Sequence, residues 1–95
     1  MNKQGFVYIL TNEHNTVLYI GVTSTLKQRV YQHKNMIHDG FSKKYRTHKL
    51  VYYEVAEEIG SAILREKQLK NWHKDWKFNL IKKFNHDLID LYEDL

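Results

Sequence analysis

Five apolar side chains in a row, Phe6-Val7-Tyr8-Ile9-Leu10, form the first patterned stretch of the chain. They are rich in β-branched and aromatic residues, which suit a pleated, half-buried surface, so they predict a strand. The polar segment Thr11 to Thr16 (TNEHNT) has turn character, and Val17-Leu18-Tyr19-Ile20 predicts a second strand paired to the first as a hairpin. Gly21 closes that strand, where a missing Cβ allows a bend or a close backbone approach. Ser24 is a suitable N-cap for a helix over residues 25–35, with Leu26 and Val30 at i, i+4. Asp39-Gly40 marks a loop, and residues 42–49 (SKKYRTHK) read as basic and irregular. Leu50 to Val55 predicts a third strand. Gly60-Ser61 introduces a helix from about Ala62 to Trp72, and a further helix over about 75–84 carries Trp76, Leu80, Ile81 and Phe84. Leu88, Leu91 and Leu95 recur at helical spacing and predict a short amphipathic helix laid on the body. The order β-β-α-β-α-α argues for an α/β domain: a small, mainly antiparallel three-stranded sheet flanked by helices. The expected division is a domain over residues 1–84 and an acidic C-terminal tail over 85–95.

Composition limits this picture more than it changes it. With 42% of 95 residues hydrophobic, the chain supplies one core and cannot feed two. The five-residue run is the longest apolar one, too short for a membrane span or for the core of a secretory signal, so no membrane partner is expected. Cysteine is absent, which excludes a disulfide partner, a cysteine zinc site and thiol chemistry, and makes the cytoplasm the expected location.

Charge is more informative, because it is unevenly placed. Lys and Arg number 15 against 11 Asp and Glu, a net +4. Residues 87–95 (DLIDLYEDL) hold four of the acids and no base, which leaves +8 on residues 1–86. Residues 27–49 hold seven Lys/Arg against Asp39, and residues 65–83 hold seven against Glu66 and Asp75. A basic body suits phosphate-bearing partners, since each neutralised phosphate releases counterions. It equally suits a solubilising surface, and charge alone leaves both open.

Three sets of residues break the pattern. Glu66 falls in the middle of a helical stripe made by Ile59, Ala62, Leu69 and His73, where a carboxylate is costly unless it is paired or binds a metal. A structural ion pair and a metal ligand both fit. Arg29 and His33, at i, i+4 beside the Leu26/Val30 stripe, put a permanent cation next to a titratable imidazole, an arrangement suited to phosphate recognition and proton movement or to a plain solvated face. Tyr8 and Tyr19 sit near the ends of paired strands, with their hydroxyls turned to a common site or simply at the rim of the core. Six histidines are present, without an HExxH pair. Asp75 and Asn79 read as surface, and the Trp72/Trp76 pair reads as core rather than as a base-stacking platform.

Taken together, VYILTNEHNTVLYIG over residues 7–21, then Arg29 and His33, then Glu66 within AILREKQLK, resemble the GIY-YIG nuclease superfamily in its small bacterial form, related to the nuclease domain of the excision-repair incision subunit. The resemblance runs from about residue 5 to residue 83. Tyr8 matches the tyrosine of the first motif, written here Phe6-Val7-Tyr8 rather than Gly-Ile-Tyr. Tyr19, Ile20 and Gly21 match the second motif. Arg29 matches the family's phosphate-binding arginine, His33 the His/Tyr position one turn later, and Glu66 the single metal-binding carboxylate. Asn79 lines up loosely with a late polar residue of some members. Val22 stands where some relatives carry lysine.

The resemblance implies a metal-dependent endonuclease that hydrolyses phosphodiester bonds in DNA, in repair or processing. It implies Mg²⁺ (or Mn²⁺) held by Glu66, with Tyr8, Tyr19, Arg29, His33 and Glu66 as the catalytic set. Either Tyr8 or His33 serves as general base, and an unperturbed tyrosine ionises near pH 10, so Tyr8 needs a lowered pKa or a passing role in a water chain. The expected nucleic-acid contacts are Gly21, Lys27, Lys43, Lys44, Arg46, Lys70 and Lys74. Two other classes compete: a non-catalytic nucleic-acid-binding module on the same scaffold, and a basic protein whose acidic tail serves a protein partner.

Overall fold

The computed structural model describes residues 3–35 and 40–95. Strands β1 (Gly5–Thr11), β2 (Leu18–Thr23) and β3 (Lys49–Ala56) form one antiparallel sheet in the order β2-β1-β3. The helices are α1 (Leu26–Lys34), a short α2 (Phe41–Tyr45), α3 (Ile59–Lys70) and α4 (Lys74–Phe84), followed by a 3₁₀ turn at Tyr92–Asp94. The α/β architecture and the element order therefore follow the hydrophobic pattern, with α2 as an addition.

Because side chains alternate along a strand, central β1 feeds two cores. Val7 and Ile9 face one side with Ile20, Val51, Tyr52, Ala62, Leu69, Ile81 and Leu88, so α3 and α4 cover that face. Tyr8 and Leu10 face the other side with Leu26, Val30 and Leu50, beneath α1. A bulge makes this division possible in β3. Ile9 pairs with Tyr52 and Leu10 with Leu50, so Val51 is the extra residue and joins Tyr52 on the same face. At the start of β1, Gly5 lets α3 approach closely: a Cβ there would lie 2.8 Å from both Ala62 Cβ and Ile59 Cα.

Several expectations shift. Thr25, not Ser24, is the N-cap of α1, with the Thr23 hydroxyl accepting the Thr25 N–H at 3.0 Å. α3 begins at Ile59, so Gly60 and Ser61 lie inside its first turn rather than before it. Gly60 is tolerated there because exposed helix starts make few demands on packing. α3 ends at Lys70, which removes His73 from the Glu66 stripe and makes it the N-cap of α4. Residues 42–49, expected to be irregular, begin within helix α2 and end in β3. Of the Asp39-Gly40 loop, Asp39 lies outside the described residues, and Gly40 is a bend at φ 107°.

The acidic tail is not an α-helix. Asn85 ends α4 and turns its amide to local work: Nδ2 donates to the carbonyls of Val51 (3.1 Å) and Ile89 (2.8 Å), while Oδ1 accepts the Ile89 N–H. Leu88 sits at φ 51°, which breaks helical continuation. Leu88 still reaches the α3/α4 core, and Leu91, Tyr92 and Leu95 pack against the α1 core. Asp90 closes the arrangement, pairing with Lys34 of α1 and accepting the Leu50 and Tyr92 N–H groups. The leucine spacing thus marks burial correctly and helix wrongly.

Candidate active site

The site starts from strand register. Tyr8 pairs with Gly21 and Leu10 with Tyr19, so Tyr8 and Tyr19 are diagonal neighbours on one face of the hairpin. Their ring centroids are 6.2 Å apart. Gly21 makes the arrangement possible, because the Tyr8 ring lies across it: a Cβ at Gly21 would stand 2.5 Å from the Tyr8 hydroxyl oxygen. Gly21, expected among the nucleic-acid contacts, is buried and acts here by being small.

Helix α1 lies over the same face. Leu26 and Val30 fix its rotation by packing against Tyr8 and Leu10, and that rotation turns His33 inward. Only 6% of His33 and 1% of Tyr8 are exposed. The His33 ring lies 5.8 Å from the Tyr8 ring and 5.2 Å from that of Tyr19. The Tyr8 hydroxyl and His33 Nε2 are 3.0 Å apart, with the hydroxyl donating when the imidazole carries its proton on Nδ1. Arg29, one turn earlier, is half-buried and its charge reaches the Tyr8 hydroxyl.

Glu66 arrives from α3 on the opposite face, and the two faces meet at the open edge of β2. Its side chain is 19% exposed, its charge is also felt at Tyr8, and Lys70 Nζ lies 3.6 Å from it at i, i+4. Burial pushes the Tyr8 hydroxyl well above the usual tyrosine range. The Tyr19 hydroxyl and the Glu66 carboxylate push the same way, and Arg29 only partly opposes them. The direction of that shift favours the passing role in a water chain over an ionised phenol.

The structure thus brings together all five residues singled out from the sequence. It scatters the expected nucleic-acid contacts. Lys70 stands beside Glu66 and lines a cleft of about 290 Å³ with Leu18, Tyr19, Ile20 and Lys77. An adjoining cleft of about 380 Å³ shares Leu18 and Lys77 and continues past Lys74 to Tyr45. Lys74 donates to the Thr16 carbonyl at 2.6 Å. Arg46, at φ 55°, lines a third cleft that shares Tyr45. Lys27 is exposed on α1, and Lys43 and Lys44 are exposed on α2. Lys77 was not anticipated, although its i, i+3 spacing from Lys74 was the available signal. Asp75 and Asn79 are exposed on α4.

A second polar cluster also escaped the sequence reading. Arg65 donates from Nε to Glu54 Oε1 at 3.1 Å and from Nη2 to Oε2 at 3.1 Å, while the Tyr52 hydroxyl donates to the same carboxylate. Gln68 accepts from Arg65 Nη1.

No group of three or more metal-ligating side chains occurs among the described residues. A single, largely buried carboxylate with one exposed ammonium partner nevertheless fits a hard divalent cation that keeps most of its ligands as water and substrate oxygen. Among the described residues, no helix is long and apolar enough to cross a membrane.

The site is thus a small antiparallel hairpin carrying two tyrosines, with Arg, His and Glu brought to it by two helices. Residues 4–79 match the GIY-YIG catalytic domain, and the chain belongs to that family. It is also similar to a UPF0213 protein of Syntrophus aciditrophicus (strain SB), at 31% identity over 82 residues that cover 85% of this chain and 93% of the relative. No solved structure matches it.

Proposed function

We propose that this protein is a metal-dependent endonuclease that hydrolyses phosphodiester bonds in DNA, acting in the cytoplasm in repair or processing. The observation that supports this best is the buried Tyr8–His33 hydrogen bond set beside two groups of opposite charge, Arg29 and Glu66. A module that only bound nucleic acid would gain nothing from a carboxylate placed among phosphates.

In this reading a phosphate lies between Tyr19, Arg29 and Glu66. A water molecule attacks phosphorus, and the P–O bond to the leaving oxygen breaks with its electron pair going to that oxygen, which takes a proton from solvent. The attacking water's proton departs through the protein. Tyr8 passes its own proton to His33 Nε2 and takes one from the water, so it never becomes a phenolate, in keeping with its raised pKa. His33 is the general base, and Tyr8 is its relay. The Arg29 guanidinium offsets negative charge that grows on the phosphate oxygens, and its planar fork suits two of them. Glu66 would hold Mg²⁺ (or Mn²⁺), which would supply Lewis-acid stabilisation of charge on the phosphate. Lys70, Lys77 and Lys74 line the adjoining clefts as contacts for the phosphate backbone.

A cleavage assay on labelled duplex, single-stranded and branched DNA, with Mg²⁺ or with chelator, tests the proposal. Cleavage in Mg²⁺ that stops with chelator is expected. Binding without cleavage on every substrate would favour the non-catalytic module.

A further inference from the structure

Of the two tryptophans expected in the core, only Trp76 lies outside it. Trp76 is 54% exposed, and Trp72 is half-buried against the α3/α4 core. They meet at ring centroids 6.2 Å apart and an interplanar angle of 79°, an open corner rather than a stack. With Asn79, Leu80 and Lys83 they line a cleft of about 190 Å³. The corner is held from outside. The Arg65 guanidinium, anchored to Glu54, lies 5.3 Å over the Trp72 ring, and the His73 ring meets Trp76 edge-on at 5.0 Å.

We propose that this cleft binds an unpaired nucleobase of the nucleic-acid substrate, so that the preferred DNA carries a single-stranded segment. The proposal rests on the nuclease reading and names its substrate class. Each part of the cleft has a use for such a ligand. An inserted planar ring stacks on one indole and meets the edge of the other, which suits any base, because every base has a π-face. Asn79 offers both a donor and an acceptor to a base edge, and Lys83 offers a cation to the adjoining phosphate. Charge favours a polyanion over an apolar protein partner, since α4 carries Lys74, Lys77, Lys82 and Lys83 against Asp75 alone. Bases inside a duplex have their faces covered by neighbours, so a stacking corner on a side-chain surface selects an unpaired one. Trp72 comes two residues after the end of α3, the helix that carries Glu66.

Trp72 and Trp76 are the protein's two tryptophans, so tryptophan emission, excited selectively over the seven tyrosines, reports on this cleft. With chelator present to prevent cutting, the full chain is titrated with a short oligothymidylate and with a blunt duplex of the same length, and affinity is read by anisotropy of the labelled DNA. The single strand should quench tryptophan fluorescence saturably. Trp76→Ala should weaken single-strand binding about ten-fold or more while changing duplex binding less than about two-fold, and Trp76→Phe should restore most of the loss. Unchanged fluorescence at saturation, or an equal loss on both DNAs, overturns the proposal but leaves the nuclease reading intact. Failure to bind either DNA overturns both. Should Trp76→Ala not fold, the quench in the unaltered chain and the Trp76→Phe affinities decide.

Discussion

Two tyrosines on neighbouring strands, Tyr8 and Tyr52, share one electrostatic symptom and differ in everything around it. Burial raises both hydroxyls well above the ordinary tyrosine range. Tyr52 donates to Glu54, which is clasped by two Arg65 donors, while Gln68 takes a third, so charge and hydrogen bonds close on themselves. Tyr8 instead meets an imidazole nitrogen, with Arg29 on one side and Glu66 on the other, at the edge of a cleft. A perturbed pKa is therefore a poor marker of chemistry by itself. What distinguishes the site is a proton acceptor next to the perturbed group, with the charges of a guanidinium and a carboxylate both felt there.

The sharpest way to break this contrast is to neutralise the carboxylate in each cluster. Glu66→Gln should reduce cleavage by about 10³-fold or more with little loss of thermal stability. Glu54→Gln should leave cleavage within a few-fold, because its cluster is structural. It strips Arg65 of a partly exposed charge partner at a cost of about 1–2 kcal/mol, a fall in Tm of roughly 4–15 °C. Parallel measurements of Tm and of single-turnover rate decide. Comparable rate losses in both variants would mean that the two clusters are not functionally distinct.

Arg29→Lys probes the same contrast more finely. Lys keeps the charge and loses the fork, so if Arg29 acts on the phosphate as charge develops, the single-turnover rate at saturating enzyme should fall about 10²–10³-fold with substrate affinity almost unchanged. A wild-type rate with a small, salt-sensitive loss of affinity would return Arg29 to the ordinary surface cations.

The smallest expected effect concerns what the two tyrosines have in common. Above about pH 10, phenols in the unfolded chain lose their protons while Tyr8 and Tyr52 hold theirs. The native state then binds more protons than the unfolded one, so these groups leave stability unchanged below pH 10 and lower it as pH rises beyond that point. Phenolate absorbance should show two of the seven tyrosines titrating last, with Tyr8→Phe and Tyr52→Phe each removing one late step.

Much of this was legible in the chain. The strands follow from short apolar runs, whereas Glu66, Arg29 and His33 each allow an ordinary structural reading by position and stand out as a set through the resemblance to the GIY-YIG superfamily. The Glu54/Arg65/Tyr52 cluster was hidden, because strand β3 and helix α3 meet across the sheet and no local spacing announces it. Trp76 was misread because size and hydrophobicity suggest a core, whereas the turn between α3 and α4 sets it outward; Trp72 does pack on the core. The tail was misread because leucine spacing cannot register that Asn85 satisfies its neighbours' backbone with its own side chain.

That tail has a consequence in time. Helix α1, which carries Arg29 and His33, is clamped by Asp90 and packed from outside by Leu91, Tyr92 and Leu95. A chain being made on the ribosome emerges N-terminus first, so every residue of the catalytic set is in solution before the segment that holds α1 in place. During that interval the nascent protein carries the proposed catalytic groups without their full support, so α1 is latched later than the residues it carries are made.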